Sequence, residues 1–134
     1  MSDTSYPNPV LVLEQLRDLL AAVDGVQTCK IGLETNLTPA DYPIVRIVPV
    51  KLAPSEFSLA GLRAQELLIY FGKPIHEFDA GLESLYTEIF AMEVALINAL
   101  PRSGDYVVRW LETITDEDRV EAYKLMALRV QLDG

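Results

Sequence analysis

Histidine and cysteine are almost absent from this sequence, with His76 and Cys29 as the single representatives of their types. One histidine and one cysteine cannot complete the ligand set of a zinc site. A lone cysteine cannot close an internal disulfide, which fits a reducing compartment. His76 stands in the polar stretch KPIHEF, where no nucleophile or oriented carboxylate is apparent, so we expect a solvated turn residue. Neither zinc chemistry nor histidine-dependent catalysis is supported.

Basic charge is also scarce, because 11 Lys and Arg face 20 Asp and Glu, for a net charge of −9. No cluster of Lys and Arg occurs, and a surface that grips DNA needs one to neutralise phosphates. An acidic surface along which DNA passes without sticking is compatible with this balance, because like charges repel. We therefore predict no specific nucleic-acid binding.

Long apolar runs are lacking as well, since no segment approaches the ~18 consecutive apolar residues of a membrane span. The opening stretch MSDTSYPNP has neither the basic nor the apolar region of a signal peptide. We expect a protein that is made and assembled in the cytoplasm and has no membrane partner.

Motifs that carry chemistry are missing too. The P-loop, dinucleotide-binding and nucleophile-elbow patterns do not occur. The run TDEDR brings together Asp116, Glu117 and Asp118, but it lacks the spacing of a calcium-binding loop, so we predict a solvated acidic turn. Glu93 is expected at the border of an apolar helix stripe, reaching solvent or a basic partner, with a buried functional acid as the alternative. A binding or structural role is favoured, with no cofactor, no metal and no enzymatic activity.

What the chain does have is hydrophobic periodicity, and half of its residues are hydrophobic. The 134 residues suit a single domain, 1–134. The pattern predicts the element order α-β-β-β-α-β-β, an α+β fold with a mostly antiparallel sheet of about five strands and two helices packed on one face. The predicted helices cover about 9–23 and 80–100, and the predicted strands cover 26–34, 42–50, 62–72, 105–115 and 120–134.

The ends of these elements carry recognisable signals. Asn8 and Pro9 read as a helix cap followed by proline at the first helical position, and Gly25 as a helix stop. Residues 1–8 are expected to form an N-terminal arm, and residues 51–61 a protruding loop or arm.

The stretch DYPIVRIVPVKLAP is the most informative in the chain. Proline has no N–H for a neighbouring strand, so Pro43 and Pro49 predict an edge strand, or one that leaves the sheet at Pro49. The arm that follows is apolar, and exposed apolar area usually marks a partner surface. We predict that a head-to-tail subunit contact, able to close a ring, involves Ile44, Arg46, Val48, Val50, Leu52, Phe57 and Leu59. Phe57 is the preferred anchor; the alternative is that the arm folds back onto its own sheet.

Trp110, the single tryptophan, alternates onto one face with Tyr106 and Val108. Core packing is the expected role for it, and an anchor in an interface is the alternative.

The order of elements resembles that of phage tail terminator proteins, the tail-completion or head–tail joining family. The resemblance covers most of the chain. It rests on the amphipathic helix ending in VDGV, YPIVRIVPV followed by an arm, RAQELLIYFG, the long second helix, YVVRWLETIT and AYKLMALRVQLDG. It implies a virion protein that forms a ring, usually a hexamer, at the head-proximal end of the tail tube. Such a ring stops tube polymerisation, contacts the tail tube protein and the head–tail connector, and lets DNA pass through.

Two other interpretations remain open. In the same broad class, the chain is a head–tail connector or neck protein, or the equivalent part of a tail-like particle. In a different class, it is a small cytoplasmic ligand-binding domain or an enzyme that uses carboxylates. A stable compact monomer in solution would favour this last class.

Overall fold

The computed structural model describes residues 8–32, 43–54, 63–74, 82–104, 106–115 and 123–133. It confirms the α+β class, with two helices and a five-stranded mixed sheet in the predicted order α-β-β-β-α-β-β. The elements are α1 (Val10–Ala21), β1 (Thr28–Ile31), β2 (Ile44–Pro54), β3 (Arg63–Pro74), α2 (Leu82–Ala99), β4 (Val107–Ile114) and β5 (Tyr123–Asp133).

Helix α1 begins as its sequence predicts. The Asn8 side chain accepts a hydrogen bond from the Val10 N–H at 3.0 Å, and Pro9 already has helical dihedral angles of −64° and −18°. An asparagine cap satisfies a donor that has no partner within the helix, and proline at the first position loses nothing. Just beyond the helix Gly25 has a φ of 92°, which a residue with a Cβ rarely adopts, so the chain turns there.

Both helices pack on the same face of the sheet, which we call the helix face. The buried side of α1 is Leu13, Leu16 and Leu20, and that of α2 includes Ile89 and Leu96. They share one core cluster with alternate residues of the strands, and the predicted alignment of Met126, Leu128, Val130 and Leu132 on one face of β5 is confirmed. We expect Asp79 to cap α2, because aspartate is favoured at that position, and it lies outside the described residues.

The strands are arranged in the order β1-β2-β3-β5-β4. The mostly antiparallel sheet that the sequence predicts is confirmed, since three of the four strand pairs are antiparallel and only β1 and β2 pair in parallel. Parallel neighbours need a connection of about a dozen residues, and residues 32–43 supply that length between β1 and β2. Because β5 lies between β3 and β4, strand β4 is at the end of the sheet opposite β1 although it precedes β5 in sequence.

Strand β2 differs from its prediction in two respects. It is not an edge along Ile44–Ile47, because β1 pairs with it there. It also continues to Pro54 by pairing with the beginning of β3, so the first four residues of the predicted arm 51–61 are strand. A bulge between Pro49 and Lys51 makes this continuation possible by inserting Val50 as an extra residue. Residues 55–61 and most of the predicted N-terminal arm lie outside the described residues.

Candidate subunit interface

Pro43, which immediately precedes β2, and Pro49 within it lie where their missing N–H groups weaken no contact with β3. The carbonyl of Pro43 accepts the Gln27 N–H at 2.9 Å, and the carbonyl of Ile47 accepts the Gly32 N–H at 2.7 Å. Backbone groups of a strand alternate sides, so residues 43, 45, 47 and 49 all point towards β1 and away from β3. Pro49 is the next donor position in the β1 ladder. Because it has no N–H, the pairing with β1 ends there.

Beyond this point β2 has no partner on its outer side among the described residues, and we call Val48–Pro54 the β2 edge. The bulge shifts the alternation, so Lys51 and Ala53 turn their backbone groups to β3, while Leu52 and Pro54 turn theirs outward. Of the residues that alternation turns outward, 49, 52 and 54, two are prolines, so Leu52 alone among these three has an N–H to offer. The exposed fractions of the Val50 and Leu52 side chains are 52% and 45%. The edge is thus apolar and poor in donors.

Of the predicted interface residues, Val50 and Leu52 are exposed and Val48 is partly buried. The structure does not support a surface role for Ile44 and Arg46, because both are 0% exposed within one chain. Both are also flanked by β1 and β3, so neither lies at an edge of the sheet.

Several other predicted positions lie outside the described residues and stay predictions. They are Phe57 and Leu59 of the arm, His76, and the acidic turn residues Asp116, Glu117 and Asp118.

Arg46 is a buried cation on the face opposite the helices. Its Nη1 donates to Thr28 Oγ1 at 3.0 Å and to the Val45 carbonyl at 3.1 Å. Its Nε and Nη2 have no hydrogen-bond partner among the described residues. Burying a charge is costly when its hydrogen bonds are incomplete, and among the described residues Arg46 has this little compensation.

The opposite end of the sheet, at β4, was not predicted as a surface. The Val108 N–H donates to the Pro101 carbonyl at 2.8 Å, so Val108 and, two residues on, Trp110 point their backbone groups away from β5. The exposed fractions of Trp110 and Leu111 are 47% and 44%. Core packing is therefore wrong for Trp110, although Val108 and Tyr106 do join the core cluster. We call the outer side of β4 the β4 edge.

An apolar groove of about 540 Å³ runs between the C-terminal part of α2 and β4, and we call it the α2–β4 groove. It is lined by Ile97, Leu100, Arg102, Val107, Val108, Arg109 and Trp110. This lining includes two arginines and no acid. On α2, Phe90 and Val94 are also exposed, which adds apolar area on the same helix. Sequence reasoning missed this surface because Trp110 alternates with residues that are in the core.

Two hydrogen bonds connect Trp110 to helix α2. The indole Nε1 donates to Thr113 Oγ1 at 3.0 Å, and the Thr113 hydroxyl donates to Glu93 Oε2 at 2.7 Å. Glu93 was expected to reach solvent or a base, and it instead accepts from a hydroxyl across the helix–sheet boundary. The chain Trp110–Thr113–Glu93 orients an indole that packing alone leaves half exposed.

Arg129 is the centre of an ion-pair network on the face of the sheet opposite the helices. Arg129 on β5 lies between Glu66 and Glu112, to which its Nε and Nη1 donate at 2.7 and 3.0 Å. These bonds, the one to Glu66 most of all, raise the pKa of Arg129 and cross-link β3, β5 and β4.

Burial raises the pKa of the Cys29 thiol to about 11, although Arg46 and Arg17 oppose the shift. The thiol is therefore protonated at neutral pH and unsuited to nucleophilic attack.

A metal centre finds no support in the part of the chain that the structure describes, where no three potential ligand side chains come together. Within the same residues, neither helix has the length and apolar character needed to cross a bilayer. No family model matches the chain, and no curated protein shows detectable sequence similarity to it. The function is therefore argued from the two edges and the groove.

Proposed function

We propose that this protein is a structural virion protein, a tail terminator that forms a ring on the head-proximal end of a phage tail tube. The observation that carries the proposal is that, among the described residues, the sheet has two unpaired edges of different character, one on β2 beyond the end of β1 and one on β4 at the opposite end. The β2 edge exposes Val50 and Leu52, and the β4 edge exposes Trp110 and Leu111. Apolar area of this kind on a small domain is typical of a partner surface.

Two different edges favour a head-to-tail contact. When one patch meets a different patch on the next copy, the same contact repeats around an axis and closes into a ring if the rotation divides the circle. A contact between identical patches would instead use one edge and leave the other exposed. The ring number is taken from the family resemblance, which implies a hexamer.

The mechanism of termination is physical. A tail tube grows because each ring of tube protein presents a surface that the next ring recognises. A terminator ring matches the tube on one side and presents a different surface on the other, to which the head–tail connector binds. Growth then stops because the recognised surface is covered.

The charge of the chain suits this role. A net charge of −9 gives the protein a surface that repels DNA phosphates, so a genome passes the ring without being held. Affinity within the ring would come from burial of apolar side chains at the two edges. Salt screens interactions between charges and does not screen this hydrophobic contribution.

The experiment combines two measurements. Native mass spectrometry and negative-stain electron microscopy of the purified protein are expected to show a closed ring, alone or after mixing with tail tubes assembled from purified tube protein. The gene is expected to lie among genes for virion structural proteins, and the tube protein encoded there is the probe. Tubes polymerised in the presence of the protein should be shorter and carry density at one end.

The results separate the candidate roles. A ring that binds purified connector but leaves tube length unchanged would identify a neck protein instead. A protein that stays monomeric and neither binds nor shortens tubes would overturn the virion assignment.

A further inference from the structure

A head-to-tail ring needs two complementary surfaces, and the groove at β4 has no occupant within the described chain. We propose that the α2–β4 groove receives the β2 edge of a second copy of this chain, with Trp110 as the anchor. The inference rests on the ring proposed above and names the two halves of its contact. It is argued from strand direction, the faces on which side chains lie, and charge.

Strand direction allows the two edges to pair. Strands β2, β3, β5 and β4 alternate in direction across the sheet, so β4 runs antiparallel to β2. A second copy rotated about an axis roughly parallel to the strands keeps these directions. Its β2 edge would then meet β4 as an antiparallel neighbour, which is the arrangement of most strand pairs in this sheet.

The exposed apolar side chains fall on matching faces. Leu52 pairs with Gln65 and Trp110 pairs with Val130, and both of these partners are buried on the helix face. In a sheet continued from one copy to the next, Leu52 of one copy and Trp110 of the other would therefore project from the same face, within two residues of each other along the strands. The groove at this position would enclose the leucine and remove the indole from water.

The backbone donors of the β2 edge and the charges around the groove both restrict which partner can bind. Among residues 49, 52 and 54 of the β2 edge Leu52 alone has an outward N–H, so a chance strand finds few bonds there and selectivity must come from side chains. The groove is rimmed by Arg102 and Arg109 with no acid in its lining, whereas the whole chain is strongly acidic. Arg109 Nε lies 3.9 Å from Asp133 Oδ2 and the β2 edge itself has Lys51, so the charge complementarity comes from the net negative charge of the second copy as a whole.

Trp110 is oriented before any partner arrives. Thr113 and Glu93 hold the indole through successive hydrogen bonds of 3.0 and 2.7 Å. A side chain that is already ordered loses less entropy on binding, which favours an aromatic anchor. Thr113 and Glu93 are therefore positioning residues for the contact.

Cross-linking tests the arrangement of the copies. In a Cys29→Ala background, Leu52→Cys and Leu111→Cys are made separately and together, and each protein is treated with a short flexible bismaleimide. The two sites lie at opposite ends of the sheet, so a cross-link between them joins different copies. We expect a ladder of multimers from the double variant and no cross-linked product from either single variant. Dimers from a single variant would reveal a two-fold contact and overturn the proposal.

The single tryptophan supplies an independent readout. Emission is expected to shift to shorter wavelength as sedimentation shows assembly, because Trp110 loses contact with water. Trp110→Ala is expected to weaken self-association by about 30-fold or more. Leu11→Ala, which trims an exposed side chain on α1, is the matched control and should change nothing. Thr113→Val should lower the emission anisotropy of the unassembled protein and weaken assembly without changing its melting temperature.

These outcomes distinguish the inference from the function. Assembly without a spectral shift or a ladder would overturn the groove contact and leave the ring standing. If the protein stays monomeric in solution but shortens tail tubes, the double variant is bound to tubes before it is cross-linked. Absence of the ladder there would overturn the groove contact and leave the proposed function unaffected.

Discussion

At the scale of single residues, Arg46 is the clearest departure from what a stable core needs. It is 0% exposed, its charge has no carboxylate partner among the described residues, and two of its nitrogens lack acceptors there. In other proteins, replacing buried ionic groups with apolar residues of similar volume is often neutral or stabilising. The arginine therefore lowers the stability of the single chain as described.

Substitution at Arg46 tests this view. We expect Arg46→Met to leave the free energy of unfolding unchanged or to raise it by about 1–4 kcal/mol, because an apolar side chain removes the desolvation penalty. Arg46→Lys keeps the charge but loses the geometry of the bonds to Thr28 and Val45, so it should be the less stable of the two variants. Urea denaturation followed by circular dichroism measures both. If the lysine variant is the more stable, an acid outside the described residues balances the charge.

At the scale of elements, β2 shows how prolines can lie within a sheet without breaking it. Pro49 faces away from β3 and pairs with Leu67 without sharing a ladder bond. Val48, the preceding residue, has the opposite orientation. It pairs with Leu68, and its backbone groups point towards β3. Proline is thus tolerated at position 49 and limits uncontrolled pairing along the edge.

A matched pair of variants checks the orientation of β2. Pro49→Val is expected to change the free energy of unfolding by no more than about 1 kcal/mol. Because it restores an outward N–H, it should also increase aggregation, measured by light scattering. Val48→Pro should destabilise the fold by about 3 kcal/mol or more, since it removes a ladder bond and introduces a clash. Equal losses from the two substitutions would show that Pro49 does not face outward.

At the scale of the whole molecule, charge and shape act together. The acidic residues outnumber the basic ones by 20 to 11, yet the α2–β4 groove is lined by arginines alone among charged residues. An uneven distribution of this kind steers association between copies more effectively than net charge, which by itself causes repulsion.

The charge balance leads to a prediction about DNA. The isolated protein should show no salt-sensitive binding to double-stranded DNA near physiological ionic strength, because its net charge of −9 opposes the neutralisation of phosphates that releases counterions from DNA. Fluorescence anisotropy of a labelled duplex, titrated at several salt concentrations, makes the measurement. Binding on the order of micromolar that weakens steeply with salt would contradict a passive channel and indicate a basic surface.

The sequence alone determined the number, type and order of the elements. The start of helix α1 at Asn8 and Pro9 and the turn of the chain at Gly25 were predictable, because capping and φ preferences are local properties. The buried face of β5 followed from alternation, since successive side chains of a strand point to opposite faces. Two apolar helix stripes and five short strands then leave few ways to build a core.

The neighbours of each strand were decided only by the tertiary structure. Nothing local to Ile44 or Arg46 shows that β1 would pair alongside them, because pairing between β1 and β2 depends on residues separated by the whole connection 32–43. Trp110 has the same alternation as Val108, yet it is half exposed because β4 became the last strand of the sheet. Periodicity specifies which face a residue belongs to, whereas exposure depends on how far the covering layer and the neighbouring strands extend. The edges, and with them the candidate interface, are therefore properties of the assembled sheet.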